Sequence, residues 1–357
     1  VVEEFLRIYV YNSVEFGQTF QASLSEQGAA DRSNRMQNLI AGQLIGSGFS
    51  EILNNSLTRA AYYDGLESYP SDKLVRLMNP LSSDLNVMRQ TLLFGGLESI
   101  SHNIRRQAAN LAMFEFGKCY YFNAAIKAGD SDVTERDKEH SRLRAYTEDM
   151  HLGLWLTGNM IQSSWAHADQ KTTVYQLKAY VENIFERLGL ENGMYSIEEQ
   201  GADIYSSALS YVLRSGKTVA QVGIVKNGLL KASDVDAAVY YADINWDVLM
   251  KATRKVSVSY TELPKFPEVR RDLALLVDTK VTFQQIRQTA LKAESKLIKS
   301  VSLFDVYQGK NLEAGKKSYA VCFMLQDPEA TLNDKTIEKC MNKVVAALQK
   351  ELDAVLR

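Results

Sequence analysis

The 357-residue sequence predicts an α+β protein of two sheet-bearing domains, on three features. Helix-spaced apolar stripes alternate with short strand segments up to Ser257, most simply one antiparallel sheet with helices grouped around it. A proline-marked stretch then interrupts the chain. No proline occurs between Pro80 and Pro264, and Pro264 and Pro267 then bracket Lys265-Phe266. Beyond it the elements run strand, helix, strand, strand, helix and a short final strand, the split βαβ order of a ferredoxin-like domain.

In chain order, Met78-Asn79-Pro80-Leu81 reads as a sharp turn, because proline pushes Asn79 out of helical geometry. Ser82 or Ser83 as N-cap, followed by Asp84, starts a predicted helix whose face is Leu93, Leu97, Ile100 and Ile104. Leu111–Phe116 and Lys118–Phe122 are aromatic-rich strand material, and the polar stretch Asn123–Glu139 reads as a loop between antiparallel strands. Tyr175–Leu188 is helical by spacing and stops at Gly189. Tyr205–Arg214 and Thr218–Lys226 are strands, with Ser215-Gly216 and Asn227-Gly228 as hairpin turns. In the last domain the strands are Asp272–Val277, Ser300–Tyr307 and Lys317–Leu325, and the helices Thr282–Ser295 and Asn333–Leu352.

Composition excludes several classes. With 46% hydrophobic and 24% charged residues the chain is globular, not largely disordered. Three widely spaced cysteines, Cys119, Cys322 and Cys340, form no CxxC and fit a reducing cytosol, not a disulfide scaffold or zinc ribbon. His102, His140, His151 and His167 match no metal-binding spacing and read as structural or surface residues. Met150–Ala168 lacks Asp, Glu, Lys and Arg, but its histidines, amides and hydroxyls suit a buried strand and its loop better than a membrane span. The chain opens without a methionine or signal-peptide pattern and in a helical pattern, so it is expected to be part of a longer soluble protein. The net charge of −2 divides unevenly: residues 1–259 hold 25 basic and 30 acidic side chains, residues 260–357 hold 16 and 13. That asymmetry points the last domain toward an anionic partner.

Strand alternation sharpens this. In Leu303–Tyr307, Phe304 and Val306 share one face, and Leu303, Asp305 and Tyr307 the other. In the next strand Tyr319, Val321, Phe323 and Leu325 form the bulky face and Ser318, Ala320 and Cys322 the small one. Packing the bulky faces on the helices leaves Asp305, Tyr307, Ser318 and Ala320 on the open side. A ring, a carboxylate, a hydroxyl and small neighbours could serve as a base-stacking platform, a stack being worth about 1–3 kcal/mol. On the residues alone, an ordinary solvent-facing strand bearing a tyrosine is the favoured account.

Phe266-Pro267, Arg271-Asp272, Phe304-Asp305-Val306-Tyr307, Lys317-Ser318, Thr331-Leu332 and Leu356-Arg357 resemble the ferredoxin-fold anticodon-binding domain of phenylalanyl-tRNA synthetases. The resemblance implies that Asp305, Tyr307 and Ser318 hold the first anticodon base of phenylalanine tRNA, and it makes Arg271 a phosphate contact. Upstream, Asn79-Pro80-Leu81, Met88–Leu93, Asn103 and Phe114-Glu115-Phe116-Gly117 are similar to the class II synthetase-like core of that family's β subunit. Val2-Glu3-Glu4 with Arg7-Ile8-Tyr9 resembles the end of the preceding domain, where two glutamates join upstream aspartates at a magnesium site. Carried over, Glu3 and Glu4 are half of a Mg²⁺ site, although acids at a helix N-terminus explain them as well. The family's glycine after this segment is replaced by Val10.

A class II core that forms an adenylate needs arginines for the α- and γ-phosphates, since charge stabilisation dominates such transfers. After Phe114–Cys119, catalytic relatives continue with an aromatic residue, Arg, any residue and Glu, whereas this chain has Tyr120, Tyr121, Phe122 and Asn123. Tyr121 stands where the arginine belongs, and no Gly-x-Gly-x-x-Arg motif occurs. The resemblance therefore implies no catalytic residues in this chain and no editing site. It implies a scaffold for a catalytic α subunit that binds ATP, an (αβ)₂ heterotetramer, phenylalanine tRNA as partner and a cytoplasmic location. The expected organisation is the end of a preceding domain (1–17), a catalytically silent core (18–256), a linker (257–269) and an anticodon-binding domain (270–357), together the C-terminal portion of the subunit. A single-chain catalytic synthetase and a stand-alone tRNA-binding regulatory module are the alternatives; the missing arginines weigh against the first, Glu3-Glu4 and Asn79-Pro80 against the second.

Overall fold

Along Leu111–Phe122 alternate side chains face opposite ways: Phe114 and Phe116 one way, Met113, Glu115, Gly117 and Cys119 the other. A computed structural model describes residues 2–10, 13, 28–80, 82–123, 145–254, 256, 260, 262–309, 312–313 and 315–357. The chain forms two compact units, Val1–Val258 and Ser259–Arg357.

The first unit begins with α1 (Val2–Tyr9), α2 (Ala29–Gly46), β1 (Ser50–Glu51), β2 (Leu57–Thr58), β3 (Val87–Met88), α3 (Leu93–Ile104) and β4 (Leu111–Phe122). It continues with β5 (Tyr146–Thr157), β6 (Asn159–Ile161), β7 (Gln170–Lys171), α4 (Val174–Leu188), β8 (Tyr195–Glu198), β9 (Tyr205–Leu213) and β10 (Thr218–Val225). α5 (Asn227–Ala232), β11 (Val239–Asn245) and α6 (Trp246–Ala252) complete it. Seven strands make one sheet in the order β1-β4-β5-β11-β10-β9-β8, antiparallel except for β1 against β4. One sheet face, with Phe114, Leu152, Leu154 and Val222, packs on Ile40 and Leu44 of α2, Val181 and Phe185 of α4, and Trp246 of α6. The other packs Met113, Trp155 and Tyr241 on Leu93, Leu97 and Ile100 of α3 and on Tyr63 and Tyr69.

Local chemistry sets the boundaries. Thr173 and Gln176 form a capping box at the start of α4, and Gly189 ends it at φ +80°, the left-handed turn expected of a helix stop. The helix expected from Ser82 starts instead at Leu93. Ser82–Leu85 is a turn, closed by the Leu85 amide on the Ser82 carbonyl at 3.3 Å, and β3 then pairs with β2. The apolar stripe Leu93, Leu97 and Ile100 lies buried on the helix as expected, but Ser82, Ser83 and Asp84 belong to a turn. Leu111–Phe122 is one unbroken strand, not two, paired with β5 at every position, and its Gly117 answers to packing: a Cβ there would lie 2.2 Å from Nη2 of Arg89. Asn227-Gly228 opens α5, whose Leu230 is buried, so β10 reaches its partner β11 through a helical turn, not a hairpin.

Some readings fall outside the described residues: the stretch after Asn123, with His140 in it; Leu81 of the turn; residues 1, 11–12 and 14–17 of the N-terminal segment; and residues 257–259 and 261 of the linker.

The second unit runs β12 (Val269–Asp278), α7 (Phe283–Ala293), β13 (Ile298–Tyr307), β14 (Lys316–Leu325), α8 (Asp334–Leu352) and β15 (Val355–Leu356). Its sheet order is β13-β14-β12-β15, all antiparallel, the ferredoxin-like arrangement. Thr282 and Gln285 cap α7 reciprocally, and Asn333 Oδ1 accepts from the Thr336 amide at 2.8 Å to start α8. Leu275, Val277, Val321 and Phe323 pack on Ile286 of α7 and Val344 and Leu348 of α8. Phe323 is fully buried, so truncating it to alanine costs about 3–5 kcal/mol.

Candidate nucleic-acid interface

Both helices of the second unit cover one sheet face, and the register gives the composition of the other. Tyr307 of β13 stands opposite Ser318 of β14, which stands opposite Leu276 of β12. Asp305, Ala320 and Ala274 form the next row, and Ser302, Cys322 and Asp272 the one after. Asp305, Tyr307 and Ser318 therefore share the helix-free face. Ala274 and Ala320 keep its middle low, so a flat group can lie on it. Tyr307 is 39% exposed, and Asp305 has no hydrogen-bond or ion-pair partner among the described residues. Arg357, whose amide donates to the Ala274 carbonyl at 2.9 Å, places its guanidinium carbon 5.8 Å from the centre of the Tyr307 ring.

Arg271 is placed apart from these three. It pairs with Phe323, two residues before Leu273 and four before Leu275 on the helix side, so it stands on the opposite face. Its neighbour Arg270 is on the open face. There Nε and Nη2 grip Asp272 at 2.9 and 3.0 Å, and this pairing holds the Asp272 carboxyl below its ordinary range. Burial and a hydrogen bond to Asp272 push the Cys322 thiol upward, away from the reactive thiolate.

Sequence alternation also misassigned Phe304. The ladder skips a residue between Leu303 and Asp305, a β-bulge at Phe304. Leu303 consequently packs on the helix-side core, while Phe304, expected there with Val306, is 55% exposed under the Arg270 guanidinium at 5.6 Å. Val306, at the outer end of the strand, is exposed as well. A bulge leaves no mark in a single sequence, but the alternation of β12 alone would have distinguished Arg270 from Arg271.

Residues 18–246 match the family described as Phenylalanyl tRNA synthetase beta chain CLM domain, and residues 264–357 match the Ferredoxin-fold anticodon binding domain. The chain belongs to the phenylalanyl-tRNA synthetase β-chain family. Similar relatives are the phenylalanine–tRNA ligase beta subunits of Bacteroides fragilis (59% identical), Bacteroides thetaiotaomicron (56%) and Porphyromonas gingivalis (47%). Each is matched over the whole of this chain, which spans 42% of each relative's length.

In this β-chain family member the large sheet carries its polar groups inside. Arg89 Nη1 meets Glu115 Oε1 at 2.7 Å with both side chains buried, Arg89 Nε donates to the Lys118 carbonyl at 3.0 Å, and Asn54 Nδ2 donates to Glu115 Oε2 at 2.7 Å. Tyr121 is half-buried, and its hydroxyl donates to the Gln90 carbonyl at 2.8 Å. Burial pushes that phenol far upward, so it stays neutral. Trp155 and Tyr241 are fully buried on the same sheet face with rings 5.2 Å apart, and Tyr205 stacks on Tyr241 at 6.1 Å. Gly96 and Gly153 make room for the indole: a Cβ at either would come within 2.1 or 2.5 Å of it.

Glu3 and Glu4 lie on α1, which buries none of its residues, and Glu4 pairs with Arg7 at 2.9 Å. Two adjacent exposed carboxylates are hard oxygen donors of the kind a magnesium ion takes through one or two carboxylates and water. No group of three or more His, Cys, Asp or Glu side chains is placed to hold a metal among the described residues. Nor is any helix among them long and apolar enough to cross a membrane.

Proposed function

We propose that this chain is the part of a phenylalanine–tRNA ligase β chain that receives the anticodon of phenylalanine tRNA and supports a catalytic α chain. The observation that carries the reading is the helix-free sheet face on which Asp305, Tyr307 and Ser318 stand in adjoining rows. The Tyr307 ring offers a base a stacking surface, Asp305 offers a carboxylate to an exocyclic amine, and the Ser318 hydroxyl can donate or accept. Arg270 and Arg357 on the same face, and the excess of basic residues after residue 259, favour an anionic strand.

Adenylate formation belongs, in this reading, to the α chain. The family position of a phosphate-binding arginine is held here by Tyr121, tied to the Gln90 carbonyl, and Trp155 and Tyr241 fill the sheet face above it. The first unit is then a scaffold, assembled with the α chain as an (αβ)₂ heterotetramer in the cytoplasm; ATP acts at the α chain, and Glu3 and Glu4 would supply half of a Mg²⁺ site. The test is a binding titration of phenylalanine tRNA with the reconstituted α–β enzyme, wild type against Tyr307→Ala. Loss of one stack predicts roughly 5- to 150-fold weaker binding, equivalent to about 1–3 kcal/mol. Unchanged affinity would overturn the assignment of this face.

A further inference from the structure

Phe304 is a large apolar side chain that the fold leaves more than half exposed, with its ring under a guanidinium. Simple alternation would have put it with the helix-side core; the bulge at this position turns it to the open face, where Asp305 and Tyr307 follow. Bulges of this kind re-aim one side chain while leaving the strand on either side paired. Arg270 is held from its far side by Asp272, so a planar, delocalised group already lies over the ring in the structure. A ring that accepts a guanidinium on its face is open to a nucleobase, which is also flat and polarisable.

We propose that Phe304 is a second base-stacking position, next to Tyr307 on the same strand, and that it takes a nucleobase neighbouring the one on Tyr307. This rests on the anticodon reading of the face and extends it from one base to two. Four-stranded sheets of this connectivity elsewhere stack two or three successive bases on exposed aromatic residues. Three residues of strand separate the two rings, roughly 10 Å at the rise of an extended chain, which suits unstacked, splayed nucleotides and not a continuous helix. The base and the guanidinium cannot both lie flat on the ring. Two van der Waals contacts need roughly 7 Å, more than the 5.6 Å between Arg270 and Phe304, so the base takes the guanidinium's place. Arg270, still tethered at Asp272, then stands beside the strand to meet a phosphate.

The experiment uses the reconstituted α–β enzyme and phenylalanine tRNA transcripts, intact or abasic at single anticodon-loop positions. Phe304→Ala, Phe304→Leu and Tyr307→Ala are compared with wild type for tRNA affinity and for the KM and kcat of charging. Phe304→Ala should weaken binding of the intact transcript roughly 5- to 150-fold, in KM and not kcat, and Phe304→Leu should recover only part of it. On a transcript lacking the neighbouring base, Phe304→Ala and wild type should bind equally. The proposal is overturned if Phe304→Ala binds like wild type while Tyr307→Ala is weakened, a result that leaves the anticodon reading standing. It is also overturned if the loss is the same on every abasic transcript, the signature of a structural role. If neither ring matters, the anticodon reading itself fails.

Discussion

Gly309 lies beneath the hydroxyl of Tyr307, so close that a Cβ on it would stand 2.5 Å from the phenolic oxygen. The absence of a side chain at 309 thus lets the ring settle over Ser318 and under Arg357. Gly309→Ala should push the ring off this position. The tyrosine is partly exposed and can swing, so stability should change by less than about 1 kcal/mol. Binding of phenylalanine tRNA by the assembled enzyme should nevertheless fall several-fold. Wild-type affinity with an unchanged melting curve would show that the ring's resting position does not matter.

The Arg89–Glu115 pair makes the opposite kind of prediction, one about stability. Both side chains are buried, and Asn54 and the Lys118 carbonyl satisfy their remaining polar atoms. Removing one partner leaves a buried charge alone, so Glu115→Ala should destabilise the first unit by about 3–5 kcal/mol. Replacing both partners by apolar residues of similar size should cost much less. Urea unfolding followed by near-ultraviolet circular dichroism would compare the single and double variants. A loss in the double variant equal to the sum of the two single losses would mean that the pair is not coupled.

How much of this could be read from the chain depends on how local each signal is. The second unit was legible almost element by element, because Thr282 and Asn333 cap its helices and its strands alternate with few interruptions. That Asp305, Tyr307 and Ser318 share the helix-free face followed from the same alternation. Phe304 did not, since a bulge is set by how two strands pair and both registers suit the residues themselves. In the first unit the start of α3 was misread because Ser82, Ser83 and Asp84 serve a turn as readily as a helix cap. The buried Arg89–Glu115 pair was invisible for a different reason: its partners are 26 residues apart and meet only once β4 is in the sheet.

His151 and Asp243 form a second buried pair, Nδ1 to Oδ1 at 2.7 Å across β5 and β11. Burial alone would lower the imidazole's pKa, but Asp243, helped by Asp149 and Asp247, outweighs it and holds the pKa above the usual histidine value. The sign follows. A raised folded pKa contributes stability that is full below the unfolded value of about 6.5 and is lost as pH rises through the folded value. The first unit should therefore lose stability on going from pH 6 to pH 9, and Asp243→Asn should flatten that dependence. Proton NMR of the His151 ring would show its titration above that of a free histidine. A midpoint below 6.5 would reverse the assignment.

Trp155 fills part of one face of the large sheet. The indole occupies the face between Gly96 and Gly153 and lies against Tyr241, tilted by 32°, so the space is filled by the chain itself. Gly96→Ala should set a methyl group against the indole and destabilise the unit by about 1–3 kcal/mol through overpacking. Trp155→Ala should cost about 3–5 kcal/mol through the cavity it leaves. Neither change supplies a phosphate-binding arginine, and Tyr121 remains tied to the Gln90 carbonyl. ATP–pyrophosphate exchange with phenylalanine should thus stay at background for the isolated chain and for Trp155→Ala, and should appear when the α chain is added. Exchange by the isolated chain would show that this sheet, closed as it is, carries an adenylate site.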